Sequence, residues 1–289
     1  MLDFLLYVLF PQMLHGLVWG MTIALTALGL TVVFGLLGVV NFAHGEFYML
    51  GAFFAYTMLF MMPNFWLAML VAVFFVAFVA LGTEYFLFRP LYGKEPIFHL
   101  LLTFGLAMIF REMARAIWGG LTKRVLPPVA GSVDFLGITY PIYRLIVLGI
   151  AVGIFLAILI LMNRTRIGSI IKAASLDSTM LSALGFNVPM VYTFTFVAGA
   201  ILAAVSGVIM SPIYFVYPLM GLDVILRVFI VVIVGGLGSI KGAFVAGILL
   251  GEIESISAIW IPPVRAETLV FIMLIVILIL KPSGLFGRA

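Results

Sequence analysis

The chain has 289 residues, 65% of them hydrophobic and only 9% charged, with a mean hydropathy of +1.35. A soluble domain hydrates its surface with roughly 25% charged residues, so the outer solvent here is mostly lipid and a large water-soluble core is excluded. Fifteen Lys and Arg against eleven Asp and Glu give +4, but the basic residues sit at the ends of hydrophobic runs, as topology signals do, rather than clustered for nucleic acid.

The amino-terminal Met1-Leu-Asp-Phe-Leu carries no basic region and no small-residue cleavage site follows it, so the first hydrophobic run is expected to stay in the mature protein. A membrane crossing takes about 20 apolar residues. Six stretches reach that length: Leu14–Phe34, Glu46–Met62, Phe65–Phe88, Phe98–Trp118, Tyr143–Met162 and Val191–Pro212. Two shorter pieces, Val224–Val234 and Gly242–Ile256, flank Gly235-Gly-Leu-Gly-Ser-Ile-Lys241, and a last span covers Thr268–Leu280. The expected fold is all-α: a single polytopic membrane domain over residues 1–289, with about eight or nine transmembrane or re-entrant helices.

The connections carry orientation. Asn163–Pro189 holds Arg164, Arg166 and Lys172 against Asp177. The turn Arg89–Pro96 holds Arg89 and Lys94 against Glu95, and the tail holds Lys281 and Arg288. All three are expected on the cytoplasmic side. Lys123 and Arg124 then fall outside.

An internal echo links the two ends. Val32-Val-Phe-Gly-Leu-Leu-Gly38 is similar to Val232-Ile-Val-Gly-Gly-Leu-Gly238, 200 positions apart, and Leu50-Gly51 echoes Leu250-Gly251 at the same offset. Transporters are often built from two related halves whose broken helices face the transport path. Close-packed glycine crossings without common descent would give the same pattern.

Chemistry concentrates where polar residues interrupt the apolar runs. In Asn41-Phe-Ala-His-Gly-Glu46, Asn41, His44 and Glu46 stand beside Gly35, Gly38 and Gly45. Polar groups survive at that depth only when shielded by protein or lining a wet cavity. They are expected to cap or fix broken helices, with direct substrate contact as the alternative. One His with one nearby carboxylate falls short of a zinc ligand set, and the chain has no Cys. The second break, Gly235, Gly236, Gly238 and Lys241, lacks the Gly-Lys-Ser/Thr ending and preceding strand of a phosphate loop. It is expected to be a tight turn, with Lys241 at the interface or lining the path.

Within 163–189, Ile167, Ile170, Ile171 and Ala174 recur at helical spacing, as do Leu181 and Leu184. Ala173-Ala174 favours helix and Gly185 is a good stop. This predicts a short helix beneath the membrane, presented to a soluble partner or to anionic lipid. Arg111, Glu112 and Arg115 close the fourth span as an interfacial or bundle-facing ion network. Glu252 and Glu254 are expected near a watery mouth.

These stretches together resemble the LivH-type permease subunit of bacterial ABC importers for branched-chain amino acids. The likeness is strongest over Gly29–Gly51 and recurs over Arg164–Val188 and Val231–Gly251. It implies a path for branched-chain or other small hydrophobic amino acids, shaped by Gly35, Gly38, Asn41, His44, Gly45, Glu46, Gly235, Gly236, Gly238 and Lys241. It implies a coupling element in Arg166–Gly185 against an ATPase, drawn from Arg166, Gly168, Lys172, Ala173, Ala174, Asp177, Leu184 and Gly185. Lys172 stands where such permeases more often carry Glu. The implied partners are a second permease subunit, two cytoplasmic ATPases that hold ATP and Mg, and a periplasmic binding protein, in the bacterial inner membrane. This chain itself would bind no cofactor and catalyse nothing. The rival reading is a secondary transporter or channel driven by an ion gradient, with Glu46, Glu84 or Glu112 as relay. A membrane enzyme finds no constellation in His15, His44 and His99.

Overall fold

The structure, a computed structural model, describes residues 4–135 and 137–287. Eleven α-helices account for most of them: α1 Phe10–Leu37, α2 His44–Met61, α3 Phe65–Thr83, α4 Pro96–Trp118, α5 Ile142–Arg164, α6 Arg166–Leu176, α7 Ser178–Ala183, α8 Val188–Met210, α9 Met220–Gly235, α10 Ile240–Ser257 and α11 Pro263–Leu280. Five helical stretches are long and apolar enough to cross a membrane: Leu5–Leu37, Phe65–Leu91, Pro96–Trp118, Ile142–Arg164 and Val188–Met210. The second predicted span is the 18-residue α2, which opens with His44 and Glu46. The two short pieces are α9 and α10, each longer than predicted.

Local signals set the boundaries. Asn64 accepts from the backbone N–H groups of Trp66 and Leu67 at the start of α3, and Asn187 accepts from Met190 at the start of α8. The third span does not continue as α-helix to Phe88: Glu84–Phe88 is a π-helical turn. Pro90 lies just beyond it, and proline has no N–H to return to the carbonyl four residues earlier.

The sequence reading placed no strand. Ser132–Phe135 and Ile138–Pro141 form an antiparallel hairpin, with Val133 opposite Tyr140 and Asp134 opposite Thr139. Gly137, at φ 80°, supplies its turn. The chain from 119 to 141 lies at the same end of the bundle as 211–219, since Lys123 and Val216 pair through their backbones. At the other end, Lys172, Lys241 and Ser283 line one cavity, and Arg89 reaches Thr193. The connections 89–95, 165–187 and the tail from Lys281 therefore share one end, as the basic residues predict. Arg288 lies outside the described residues.

Helix α1 runs through the middle of the molecule, buried over most of its length from Gly16 to Leu36. It crosses α10 at glycines: a Cβ on Gly20 would lie 2.5 Å from the Gly247 carbonyl oxygen, and one on Gly251 would lie 2.5 Å from the Gly20 Cα. Without a hydrophobic drive between helices in lipid, such backbone approach supplies the packing energy. Helix α3 buries Ala68, Ala72, Val76 and Ala80, every fourth residue, and exposes Leu70, Phe74 and Phe78. Large apolar side chains thus face outward, as lipid requires.

Candidate functional site

The first break begins where Gly38, at φ 65°, ends α1 and donates its N–H to the Phe34 carbonyl at 2.8 Å. An L-residue with a Cβ resists this left-handed geometry. Residues 38–43 then run back into the bundle without forming a helix. Helix α2 starts with His44 beside Thr26, whose carbonyl accepts from His44 Nε2 at 3.0 Å. Thr26 precedes the end of α1 by eleven residues, about 16 Å along the axis. Helix α2 therefore opens inside the bundle.

Its amino-terminal turn meets that of α9. A Cβ on Gly45 would sit 2.7 Å from Ile225 Cβ and still closer to the Gly221 carbonyl, while one on Gly221 would sit 2.6 Å from Glu46 Oε2. Both helices carry an acid in the first turn, Glu46 in α2 and Asp223 in α9. A carboxylate there faces the positive end of the helix dipole and the free N–H groups. Glu46 also accepts from Arg111 Nη2 of α4 at 2.9 Å, with the carboxylate 1% and the guanidinium 18% exposed. Losing one member of such a buried pair costs about 3–5 kcal/mol, because the other is left uncompensated.

Side-chain capping by Asn41 and Glu46 is not what the structure contains. The residue at the cap of α2 is Ala43, with no side-chain hydrogen bond. Asn41 contributes only its backbone carbonyl, which accepts from His44 N–H at 3.3 Å. Both Asn41 amide atoms, Glu46 Oε2 and Arg111 Nε are buried without a hydrogen-bond partner. These groups gather unspent polar capacity around the break, which a polar solute or water could use.

The second break is a tight turn. Gly236 and Gly238 take φ of 99° and 79°, and Ser239 accepts from Gly242 N–H to start α10. The tail folds onto it: Leu285 and Phe286 donate to the carbonyls of Val234 and Gly235 at 2.7 and 3.0 Å. Gly35 of the first break lies against Gly238 of the second, with an added Cβ 3.4 Å from the Gly238 Cα. The two echoing strings are thus neighbours at one end of the molecule. There they border a cavity of about 790 Å³ that also reaches α5, α6 and the exposed Lys241.

The 163–189 connection contains two helices rather than one. Thr165 Oγ1 accepts from Gly168 to cap α6, and Asp177 accepts from Met180 to cap α7. Gly185, at φ 87°, ends the pair. Gly168, Ile171, Ala174 and Leu181 turn inward. Gly168 seats α6 so closely on α5 that a Cβ would lie 2.5 Å from Met162 Cα. Gly168 and Ala174, expected among the coupling contacts, root the pair instead. Arg166, Lys172, Ala173, Asp177, Leu184 and Gly185 are exposed, with Lys172 Nζ donating to Asn163 Oδ1 at 2.8 Å.

The family description "Branched-chain amino acid transport system / permease component" fits residues 12–280. The chain belongs to this permease family. It is 31% identical to the high-affinity branched-chain amino acid transport system permease protein LivH of Escherichia coli K12, over 96% of this chain and 95% of that one. It is 30% identical to the corresponding BraD protein of Pseudomonas aeruginosa, over 98% and 97%. A probable LivH of Methanocaldococcus jannaschii is 24% identical over 94% and 90%. No solved structure matches the chain.

In this family member the predicted path residues other than Gly38, which ends α1, divide into two groups. Asn41, His44, Gly45 and Glu46 are buried at the α2–α9 meeting point. Gly35, Gly238 and Lys241 border the end cavity, with Gly235 and Gly236 packed behind them. The predicted ion network at the end of α4 also divides. Arg111 turns inward to Glu46, while Arg115 and Glu112 pair with each other at the surface. Glu84 is fully buried and accepts from Tyr92 and Thr193 hydroxyls, each at 2.7 Å. Glu254 accepts from Trp19 Nε1 and Arg227, while Glu252 faces Gly16. Two residues escaped the sequence reading, Gly221 and Thr31. Gly221 sits in Met220-Gly-Leu-Asp223, where an acid after a glycine at a helix start was the available signal.

Proposed function

We propose that this chain is the membrane-spanning permease subunit of an ABC importer, forming the path for branched-chain or other small hydrophobic amino acids. A periplasmic binding protein delivers the substrate, and two cytoplasmic ATPases holding ATP and Mg drive the cycle. A second permease subunit, related or identical, completes the assembly in the inner membrane. This chain hydrolyses nothing.

The α6–α7 pair carries the reading. It is capped at both starts, rooted through Gly168 and Leu181, and leaves Leu176, Met180 and Leu184 61–76% exposed. An apolar ridge of this kind on a short rigid element fits a groove in a soluble partner. Pushing on it moves α5 and α8, to which it is joined, and so transmits closure of the ATPases to the bundle. Inside, the α2–α9 meeting point offers glycine-lined helix ends with sparse polar groups, a construction suited to a gated path. The Glu46–Arg111 pair weighs against an ion-driven relay, since a carboxylate held by a guanidinium is poorly placed to exchange its ion or proton.

Co-expression with the genomic neighbours, followed by ATP hydrolysis in proteoliposomes, tests the proposal. Binding protein plus leucine is expected to stimulate hydrolysis, and Met180→Glu with Leu184→Glu is expected to abolish stimulation while the bundle stays folded. Uptake that follows an imposed proton or sodium gradient without any co-purifying ATPase would overturn it.

A further inference from the structure

The threonines of α1 behave differently from one another. Thr22 and Thr26 each donate to the carbonyl four residues back, at 2.7 and 3.1 Å, the usual local solution for a buried hydroxyl in a helix. Thr31 is 0% exposed, its Oγ1 has no hydrogen-bond partner, and it lines the 790 Å³ cavity at the cytoplasmic end. A buried hydroxyl left unpaired costs about 1–3 kcal/mol, and a partner inside the cavity would remove that cost.

The rest of the lining defines what that partner is. Lys172 and Lys241 border the cavity, and no Asp or Glu lines it among the described residues. Lys241 has no recorded acidic partner among those residues, and Lys172 is tied only to the neutral Asn163 amide. The rest of the wall is largely apolar, with Leu36, Met162 and Ile233 among its residues. The volume lies within the 300–1,000 Å³ or so typical of small-molecule sites. A zwitterionic amino acid fits poorly, because its ammonium would find two cations and no carboxylate.

We infer that this cavity is a binding site for an anionic amphiphile, its head held by Lys172, Lys241 and the Thr31 hydroxyl and its aliphatic part against Leu36, Met162 and Ile233. The site is separate from the α2–α9 meeting point and does not depend on the transport reading. The same chemistry is offered by the phosphate head of an anionic lipid and by a free aliphatic carboxylate. Because the cavity lies between α6 and the glycine turn of α9–α10, its occupant would wedge the 163–189 connection against the second break.

The full-length chain in zwitterionic nanodiscs tests this with two probes. Native mass spectrometry follows retention of phosphatidylglycerol against phosphatidylcholine, and ligand-observed NMR follows 4-methylpentanoate. We expect one anionic probe to bind with a stoichiometry of one. Lys241→Gln and Thr31→Val are each expected to weaken binding about tenfold or more, as loss of one hydrogen bond to a charged group implies. Lys94→Gln, removing an exposed lysine elsewhere at the same end, should leave it unchanged. Preference for phosphatidylglycerol assigns the site to lipid, and preference for the carboxylate assigns it to a soluble ligand. Binding of neither probe, or equal binding to Lys241→Gln and wild type in correctly folded protein, overturns the inference.

Discussion

Arg111 and Glu46 come from helices 65 positions apart in sequence, yet they form the most deeply buried ion pair of the structure's described residues, at 2.9 Å. Desolvating both groups is costly, and the compensation comes from their contact and from the amino-terminal turn of α2. Arg111→Met is therefore expected to lower stability by about 3–5 kcal/mol. The double variant with Glu46→Gln should recover much of that loss, because no bare carboxylate is left. Thermal unfolding of detergent-solubilised protein, followed by size-exclusion fluorescence, reads the difference. Equal destabilisation in the single and double variants would show that packing, not charge, dominates. The polar residues of this site were legible as soon as they interrupted an apolar run. Their pairing was not, because hydropathy marks which groups need a partner and is silent about which helix supplies it.

The same limit appears one level up, among the elements. Span positions followed from length and hydropathy, and the hidden helices of 163–189 from the spacing of Ile171, Ala174 and Leu181. The division of that stretch into two helices turns on Asp177, a single residue that ends α6 and caps α7. A lone charge amid a helical pattern carries no unique instruction until its backbone is extended at φ −154° and ψ 98°. The hairpin at 132–141 was missed because strand signals of four residues are too short to stand out in so apolar a chain. Removing the caps tests how these elements are held. Thr165→Ala and Asp177→Ala should each cost about 1 kcal/mol. That corresponds to roughly fivefold faster amide exchange in the first turn of α6 or of α7, read by hydrogen exchange with mass spectrometry. Exchange that rises throughout the bundle would mean that these caps support more than their own helices.

At the scale of the molecule, close helix approach at glycines and opposed helix starts place two breaks against each other in one bundle. The echo between Gly35 and Gly235 is visible in sequence, and its strings do end as neighbours. Their helices differ in register, however: α1 continues to Leu37 past Gly35, whereas α9 ends at Gly235. The second helices, α2 and α10, start at His44 and Ile240, no longer 200 positions apart. The break after α1 thus contains a buried return segment that the turn after α9 lacks, and this difference sends α2 to open inside the bundle.

If the nine long helices of the described residues, α1 to α5 and α8 to α11, each cross once, the end bearing Arg89, Lys172 and Lys281 lies opposite the end bearing Lys123 and the start of α1. The positive-inside rule then predicts that the first end faces the cytoplasm. Because the chain has no Cys, single cysteines report sidedness without background. Leu184→Cys, at 69% exposure, should react with a membrane-impermeant maleimide only when the cytoplasmic face is opened. Leu121→Cys, at 79%, should react in intact cells. Leu237→Cys, at 55% in the turn between α9 and α10, should behave like Leu184→Cys if α9 and α10 both cross. Protection of Leu237→Cys from the reagent on the cytoplasmic side would make the pair re-entrant. That outcome would also withdraw the glycine turn at Gly236–Gly238 from the cytoplasmic end, and with it the cavity shared with α6.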